Sequence, residues 1–157
     1  MTISSASVLL VEDDPNDVIL MERAFRKAGM LSDFQIARDG EQAVAYLSGK
    51  GEFSDRTRTP LPTLVLLDLK LPKLSGFEVL RWMRAQTGLR RLPVLVLTSS
   101  KEKHDITRAY ELGANAYLLK PALFNDLVDL VKTISMFCMI ANQYSDVTAE
   151  EAHHAAP

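Results

Sequence analysis

The chain has 157 residues, of which 47% are hydrophobic and 24% charged, a balance typical of one globular domain. Its 18 Lys and Arg against 20 Asp and Glu leave a net charge of −2, which excludes a general attraction to nucleic acid or to an anionic membrane. A single cysteine, Cys138, excludes an intramolecular disulfide, and the first residues lack the basic and apolar segments of an export signal. We therefore expect one cytoplasmic domain without a membrane span.

Four short apolar runs, rich in valine and leucine, and a weaker fifth run predict the strands of a sheet. In chain order they are Val8–Val11, Phe34–Ala37, Leu64–Leu67, residues 94–97 and Ala116–Leu119, of which the second is the weakest. Their apolar residues are continuous rather than alternating, which is typical of parallel strands that are covered by helices on both faces.

Segments with helical punctuation separate these runs. The first helix is expected to open at Asp14-Pro15, a cap followed by a first-turn proline, and to end at Gly29. The other predicted helices span residues 41–48, 75–86, 103–112 and about 123–141. Regular alternation of strand and helix predicts a doubly wound α/β domain with a five-stranded parallel sheet. We place this domain at residues 6–141, with a long polar loop at 48–62 and a disordered tail at 142–157.

Polar side chains follow the ends of four predicted strands. They are, in chain order, Glu12, Asp13 and Asp14, then Asp68, then Thr98, then Lys120. Because ligands of open parallel sheets bind outside the carboxyl ends of the strands, we expect these side chains to converge in one shallow site. Asp14, which precedes Pro15, is expected only to cap the first helix.

Clustered carboxylates with room for water favour Mg²⁺, because neighbouring acidic groups oppose each other's ionisation unless a cation compensates. We expect Asp13 and Asp68 to be direct ligands and Glu12 to act mainly through a metal-bound water. A carboxylate beside Mg²⁺ can attack a phosphoryl donor to give an aspartyl phosphate. Lys120 is then expected to pair with one phosphoryl oxygen, and Thr98 to donate a hydrogen bond to another. The pattern predicts a phosphoryl-accepting site.

These residues and their spacing resemble the receiver domain of two-component response regulators. The matching features are the acidic pair Glu12-Asp13, Asp68 within LLDLKLP, Gly76, Thr98 in VLTSS, and Lys120-Pro121. The sequence intervals from Asp68 to Thr98 and from Thr98 to Lys120 also agree with those of this family. The similarity covers residues 6 to about 140. The resemblance implies a flavodoxin-like strand order of 2-1-3-4-5 and a signalling protein rather than a metabolic enzyme.

The resemblance also implies roles for two residues outside the acidic cluster. Tyr117 would be the aromatic side chain that turns inward when Thr98 moves toward the phosphoryl group. The main-chain carbonyl of Lys70 would complete the metal site. Within the family, the chain is most similar to single-domain regulators that accept phosphate from bacterial and cyanobacterial phytochrome histidine kinases, on the basis of DPNDVILMERAF and DLKLPKLSGFEVL.

Two other functions are compatible with parts of the pattern. A phosphohydrolase of the haloacid-dehalogenase type also uses a strand-end Asp, a Thr and a Lys, but it requires Asp-x-Asp on its first strand, which Glu12-Asp13-Asp14 lacks. A phosphorylation-independent adaptor could use the same fold for binding alone. Turnover of a phosphate monoester would favour the first, and failure of Asp68 to take up phosphoryl would favour the second.

The last helix predicts a partner surface. One apolar face suits the sheet and consists of Leu127, Leu130, Ile134, Phe137 and Ala141. A second apolar face consists of Phe124, Val128, Val131 and Cys138, widened by Met136, Met139 and Ile140. Because a helix that is apolar nearly all round is buried on more than one side, we expect a homodimer through this helix and the adjoining fifth strand, with Phe137 and Ile140 in the interface. The alternative is that residues 136–140 fold back onto their own subunit.

Overall fold

The computed structural model describes residues 7–30 and 34–136 and has the predicted alternation of strands and helices. The strands are β1 (Val8–Val11), β2 (Phe34–Ala37), β3 (Leu64–Leu67), β4 (Val94–Thr98) and β5 (Ala116–Leu119). The helices are α1 (Pro15–Lys27), α2 (Gly40–Ser48), α3 (Gly76–Ala85), α4 (Lys103–Glu111) and α5 (Phe124–Met136). The predicted loop at 48–62 contains a short 3-10 turn, Gly51–Phe53, whose Phe53 ring packs against Tyr46.

All five strands are parallel and lie in the order β2-β1-β3-β4-β5, which confirms the expected flavodoxin-like arrangement. The chain moves outward from β1 to β2 and then crosses to β3 on the other side of β1. The strand order therefore reverses at the carboxyl ends of β1 and β3. In open parallel sheets this reversal opens the crevice in which ligands bind.

Hydrophobic side chains cover both faces of the sheet. In β1, Leu9 and Val11 belong to one buried cluster, whereas Val8 and Leu10 belong to the other. The first cluster includes buried residues of α2, α3 and α4, and the second those of α1 and α5. The apolar runs of β1, β3 and β4 are therefore continuous for the expected reason, which is that helices cover both faces of these strands.

The fifth strand differs from this expectation. Its residues are half-buried, and Leu119 is 43% exposed. The strand lies at the edge of the sheet with β4 as its single neighbour, so it is not covered as the central strands are. An apolar run alone does not distinguish an edge strand from a central one.

Glycine at position 76 allows α3 to start against the end of β3. A Cβ atom there would lie 2.1 Å from the Asp68 carbonyl oxygen and 2.7 Å from Leu69 Cα. The helix is also fixed by a capping box, in which the Ser75 hydroxyl accepts from Glu78 N–H and the Glu78 carboxylate accepts from Ser75 N–H. This close approach positions the backbone of Asp68.

The structure of the last helix differs in part from the predicted dimer surface. Val128 and Val131, which were assigned to a second, outward face, are buried in the core of their own subunit. Met136, by contrast, is 61% exposed. The expected continuation of the helix to residue 141, the tail at 142–157 and the interface residues Phe137 and Ile140 lie outside the described residues. Among the described residues, no helix is long and apolar enough to cross a membrane.

Candidate functional site

The strand register brings the polar strand-end residues together. Val11 pairs with Leu67, so Glu12 and Asp68 follow at the same level of neighbouring strands. The strand β4 is one residue longer than predicted, so Thr98 is its last residue and does not follow it. Thr98 pairs with Leu119 of β5. Lys120 follows, and its main-chain N–H donates to the Thr98 carbonyl at 2.9 Å.

An open cleft of about 260 Å³ lies at these strand ends. Its lining residues are mostly charged or hydroxylic and comprise Glu12, Asp13, Asp14, Asp17, Asp68, Lys70, Thr98, Ser99, Ser100 and Lys120. The predicted residues that follow β1 and β3, Thr98 at the end of β4, and Lys120 after β5 therefore line one cavity. Asp14 caps α1 as expected, since its Oδ1 accepts from Asn16 N–H at 2.8 Å.

Three carboxylates in the cleft could hold a cation. One oxygen each from Glu12, Asp13 and Asp68 lies within 4.8 Å of the others. Glu12 is 2% exposed, and its Oε2 atom is buried without a hydrogen-bond partner. Burial, followed by the neighbouring Asp68 carboxyl, raises the pKa of Glu12 to about 9. A hard divalent cation fits this donor set, because it would satisfy the orphaned oxygen and compensate the clustered negative charge.

The Lys120 ammonium contacts three acidic side chains at this site. It donates to Asp17 Oδ2 at 2.9 Å, Glu12 Oε1 at 3.0 Å and Asp68 Oδ2 at 3.1 Å. Burial opposes the charge of Lys120, but the Asp17 hydrogen bond and the Asp68 and Glu12 carboxylates outweigh it and raise the pKa of the ammonium above its ordinary value. The lysine therefore stays charged beside Asp68.

Sequence reasoning missed Asp17 as a member of the site. An acidic residue in the first turn of a helix is common because it favours the helix dipole, so Asp17 carried no separate signal. Burial opposes ionisation of Asp17, yet the hydrogen bond from Lys120 and then the neighbouring Glu12 carboxyl outweigh it and hold its pKa below the usual value.

A hydrogen-bonded loop connects Thr98 with Tyr117. Thr98 is 1% exposed, and its Oγ1 accepts from Ser100 N–H at 3.3 Å. The Ser100 carbonyl accepts from the Tyr117 hydroxyl at 2.9 Å, while the Ser100 hydroxyl donates to Asp105 Oδ2 at 2.6 Å. Tyr117 N–H in turn donates to the Tyr110 hydroxyl at 3.1 Å. Ser100, Asp105 and Tyr110 were not predicted, since nothing in their local sequence marks a contact with β5.

The comparisons with known proteins agree on one family. Residues 8–132 match the family described as the response regulator receiver domain. The response regulator Rcp1 of Synechocystis sp. is 39% identical over 130 residues, which is 83% of this chain and 86% of that protein.

Solved structures give the same result. The crystal structure of the phosphorylated cyanobacterial phytochrome response regulator RcpA superposes with a TM-score of 0.83 and 34% identity, covering 91% of this chain and all of the other. Response regulator RPA3017, in red light signaling of R. palustris, has a TM-score of 0.85 and 36% identity over 90% of this chain and 99% of its own. The Mn(2+)-bound form of Rcp1 has a TM-score of 0.79 and 36% identity over 90% and 99% of the two chains.

Proposed function

Because the chain belongs to the response regulator receiver domain family, we propose that Asp68 accepts a phosphoryl group from a histidine kinase and that altered protein contacts carry the signal onward. The observation that supports Asp68 most strongly is its environment. It is 8% exposed, it lines the cleft, it accepts a hydrogen bond from the Lys120 ammonium, and one of its oxygens lies within 4.8 Å of oxygens of two further acidic side chains. The phosphohydrolase alternative is not favoured by the similarities.

The proposed transfer is an in-line displacement at phosphorus. A carboxylate oxygen of Asp68 forms the new P–O bond, the P–N bond of the donor phosphohistidine breaks, and its electron pair stays on the imidazole nitrogen. The other oxygen keeps a fixed orientation, because Asp68 Oδ1 accepts from Leu69 N–H at 2.7 Å. Lys120 and Thr98 then stabilise the negative charge of the transferred group by donating to its oxygens.

We propose that Mg²⁺ is held by Asp13, Asp68 and the carbonyl of Lys70, with Glu12 beside it. The orphaned Glu12 oxygen and the spacing of the three carboxylates support this set, and Lys70 lines the same cleft. When bound, the cation would neutralise charge on the attacking carboxylate and on the donor.

We propose that Thr98 and Tyr117 transmit the change. The chain of hydrogen bonds from Thr98 through Ser100 to the Tyr117 hydroxyl supports a coupling between them. If Thr98 turns to a phosphoryl oxygen, the loop that carries Ser100 is rearranged, and the contacts of β5 and α4 change with it. A local change of charge would thereby alter a surface on which a partner can bind.

The kinase partner is proposed to be of the phytochrome type, working with this regulator in the cytoplasm. Support comes from the regulators that resemble this chain over nine-tenths of its length, one of which is a cyanobacterial phytochrome response regulator.

We also propose a homodimer through α5 and the edge strand β5. The exposed apolar side chains of Leu119 in β5 and Met136 in α5 support a partner surface on these elements. Light scattering of the full chain is expected to give a dimer, and glutamate at both Phe137 and Ile140 should give a monomer. Thr87→Glu, an exposed substitution after α3, is the control and should remain dimeric. A wild-type monomer at micromolar concentration would contradict the proposal.

Small phosphoryl donors test the proposed function and separate it from its rivals. With Mg²⁺ and phosphoramidate, the chain is expected to gain one phosphoryl group, which intact-mass measurement detects, and chelation should prevent the gain. No continued release of phosphate from a phosphate monoester is expected. Steady turnover of the monoester would favour a phosphohydrolase, and no phosphoryl uptake would favour an adaptor.

Mg²⁺ binding is expected to strengthen as pH rises. Glu12 has a pKa of about 9, so it is mainly protonated at neutral pH, and a cation beside it must displace that proton. Below this pKa the affinity should rise by up to about tenfold per pH unit, and binding should release a proton. Calorimetry in buffers of different ionisation enthalpy measures both, with Glu12→Gln as the control that has no proton to release. Wild-type affinity that is independent of pH would contradict this account.

A further inference from the structure

The ammonium of Lys120 has all its donors occupied by three carboxylates. A lysine has three N–H donors and no acceptor. Asp17, Glu12 and Asp68 each accept one hydrogen bond, at 2.9, 3.0 and 3.1 Å. Any new oxygen that Lys120 is to contact must therefore replace one of these partners.

Two of the three partners already have another task in the proposed reaction. Glu12 and Asp68 belong to the carboxylate cluster that could hold a cation, and Asp68 is the proposed acceptor. Asp17 is not part of that cluster, among the residues that the structure describes. It is thus the partner of Lys120 that neither the cation nor the phosphoryl group occupies.

The backbone of α1 fixes Asp17 in this place. Asp17 lies in the first turn, two residues after Pro15, and Asp14 caps the same turn through Asn16 N–H. Lys120 leaves the end of β5 and is 17% exposed, whereas Asp17 is 34% exposed. A long side chain with many rotamers is thereby held by a carboxylate on a rigid element.

We infer that Asp17 is a positioning residue that holds the Lys120 ammonium beside Asp68 before and during phosphoryl transfer. The inference rests on the proposed function, because it concerns the group that would contact the phosphoryl oxygen. When Asp68 is phosphorylated to an acyl phosphate, the charge of its carboxylate is lost, and the N–H of Lys120 that it accepted becomes free for a phosphoryl oxygen. The bond to Asp17 keeps the ammonium in reach throughout.

Rates of phosphoryl uptake from phosphoramidate with Mg²⁺ test the inference. Asp17→Ala is expected to slow uptake about tenfold, because one charge-assisted hydrogen bond that orients Lys120 is lost. Asp17→Asn keeps an acceptor oxygen and should recover part of the rate. The matched control is Glu22→Gln, which removes one negative charge from the same helix at a residue that does not line the cleft, and it should stay within about twofold of wild type.

A double-mutant cycle separates positioning of Lys120 from a structural role in α1. In a Lys120→Ala background, Asp17→Ala is expected to have no further effect on uptake. NMR of the lysine side chain gives a second readout that does not depend on activity, since the Lys120 ε-CH₂ signal should shift in Asp17→Asn and stay unchanged in Glu22→Gln.

Wild-type uptake by Asp17→Ala, or an equal loss with and without Lys120, would overturn the inference. An unmoved Lys120 signal in Asp17→Asn would overturn it as well. If wild-type protein took up no phosphoryl group at all, the proposed function would fail, and the NMR comparison would still decide whether Asp17 holds Lys120.

Discussion

Replacing Asp68 by asparagine is expected to abolish phosphoryl uptake while the fold stays intact. The amide has nearly the same shape and can still accept the hydrogen bond from Leu69 N–H, but it is not a nucleophile toward phosphorus. The change also removes a negative charge beside the buried Glu12 carboxyl, so the free energy of unfolding should not fall. Intact-mass measurement after incubation with phosphoramidate and Mg²⁺, together with thermal denaturation, checks both expectations.

Asp129→Asn is the matched control, because it removes one carboxylate from an exposed position on α5. It should take up phosphoryl at the wild-type rate. Uptake by Asp68→Asn at that same rate would show that another side chain is the acceptor.

Alanine at Gly76 is expected to damage both stability and phosphoryl uptake. The added Cβ would lie 2.1 Å from the Asp68 carbonyl oxygen, so the start of α3 must move away from the end of β3. Such overpacking costs about 1–3 kcal/mol in the free energy of unfolding. Because the added Cβ presses on the backbone of the acceptor Asp68, uptake should fall about a hundredfold even where the chain remains folded.

Gly29→Ala separates this steric effect from backbone strain. Gly29 has a φ of +78°, but a Cβ there would meet no atom within 4 Å. Alanine should therefore cost about 1 kcal/mol through its left-handed conformation and leave uptake unchanged. Denaturant unfolding and uptake rates on the two variants make the comparison. If both variants lost uptake equally, contact with Asp68 would not be the cause.

The central strands could be predicted from the sequence because burial on both faces leaves a continuous apolar run, as in β1 and β3. The helix starts could also be predicted, since Asp14 and Ser75 cap them through local hydrogen bonds. The exposure of Leu119 could not, because whether a strand has one neighbour or two depends on topology. Nor could the burial of Val128 and Val131, because periodicity shows that a helix has a second apolar face but not what packs on it.

The candidate site likewise contains residues that could be predicted from the sequence and residues that could not. The proximity of strand-end residues such as Glu12, Asp68 and Lys120 could be predicted, because the carboxyl ends of parallel strands lie at the same edge of the sheet. Asp17 could not be assigned to Lys120, which is 103 positions away in the chain, and its place in a first helical turn has an ordinary local explanation. The hydrogen bond from Tyr117 to the Ser100 carbonyl could not be predicted either, because every residue has a main-chain carbonyl and the sequence does not show which one is used.

Chemical trapping of the acceptor is the most direct test of the central claim. The full chain is incubated with phosphoramidate and Mg²⁺, the acyl phosphate is reduced with borohydride, and peptide mass spectrometry locates the resulting homoserine. We expect the reduced residue at position 68 and at no other aspartate of the cleft. Reduction at Asp13, Asp14 or Asp17 instead, with Asp68 unmodified, would contradict the account.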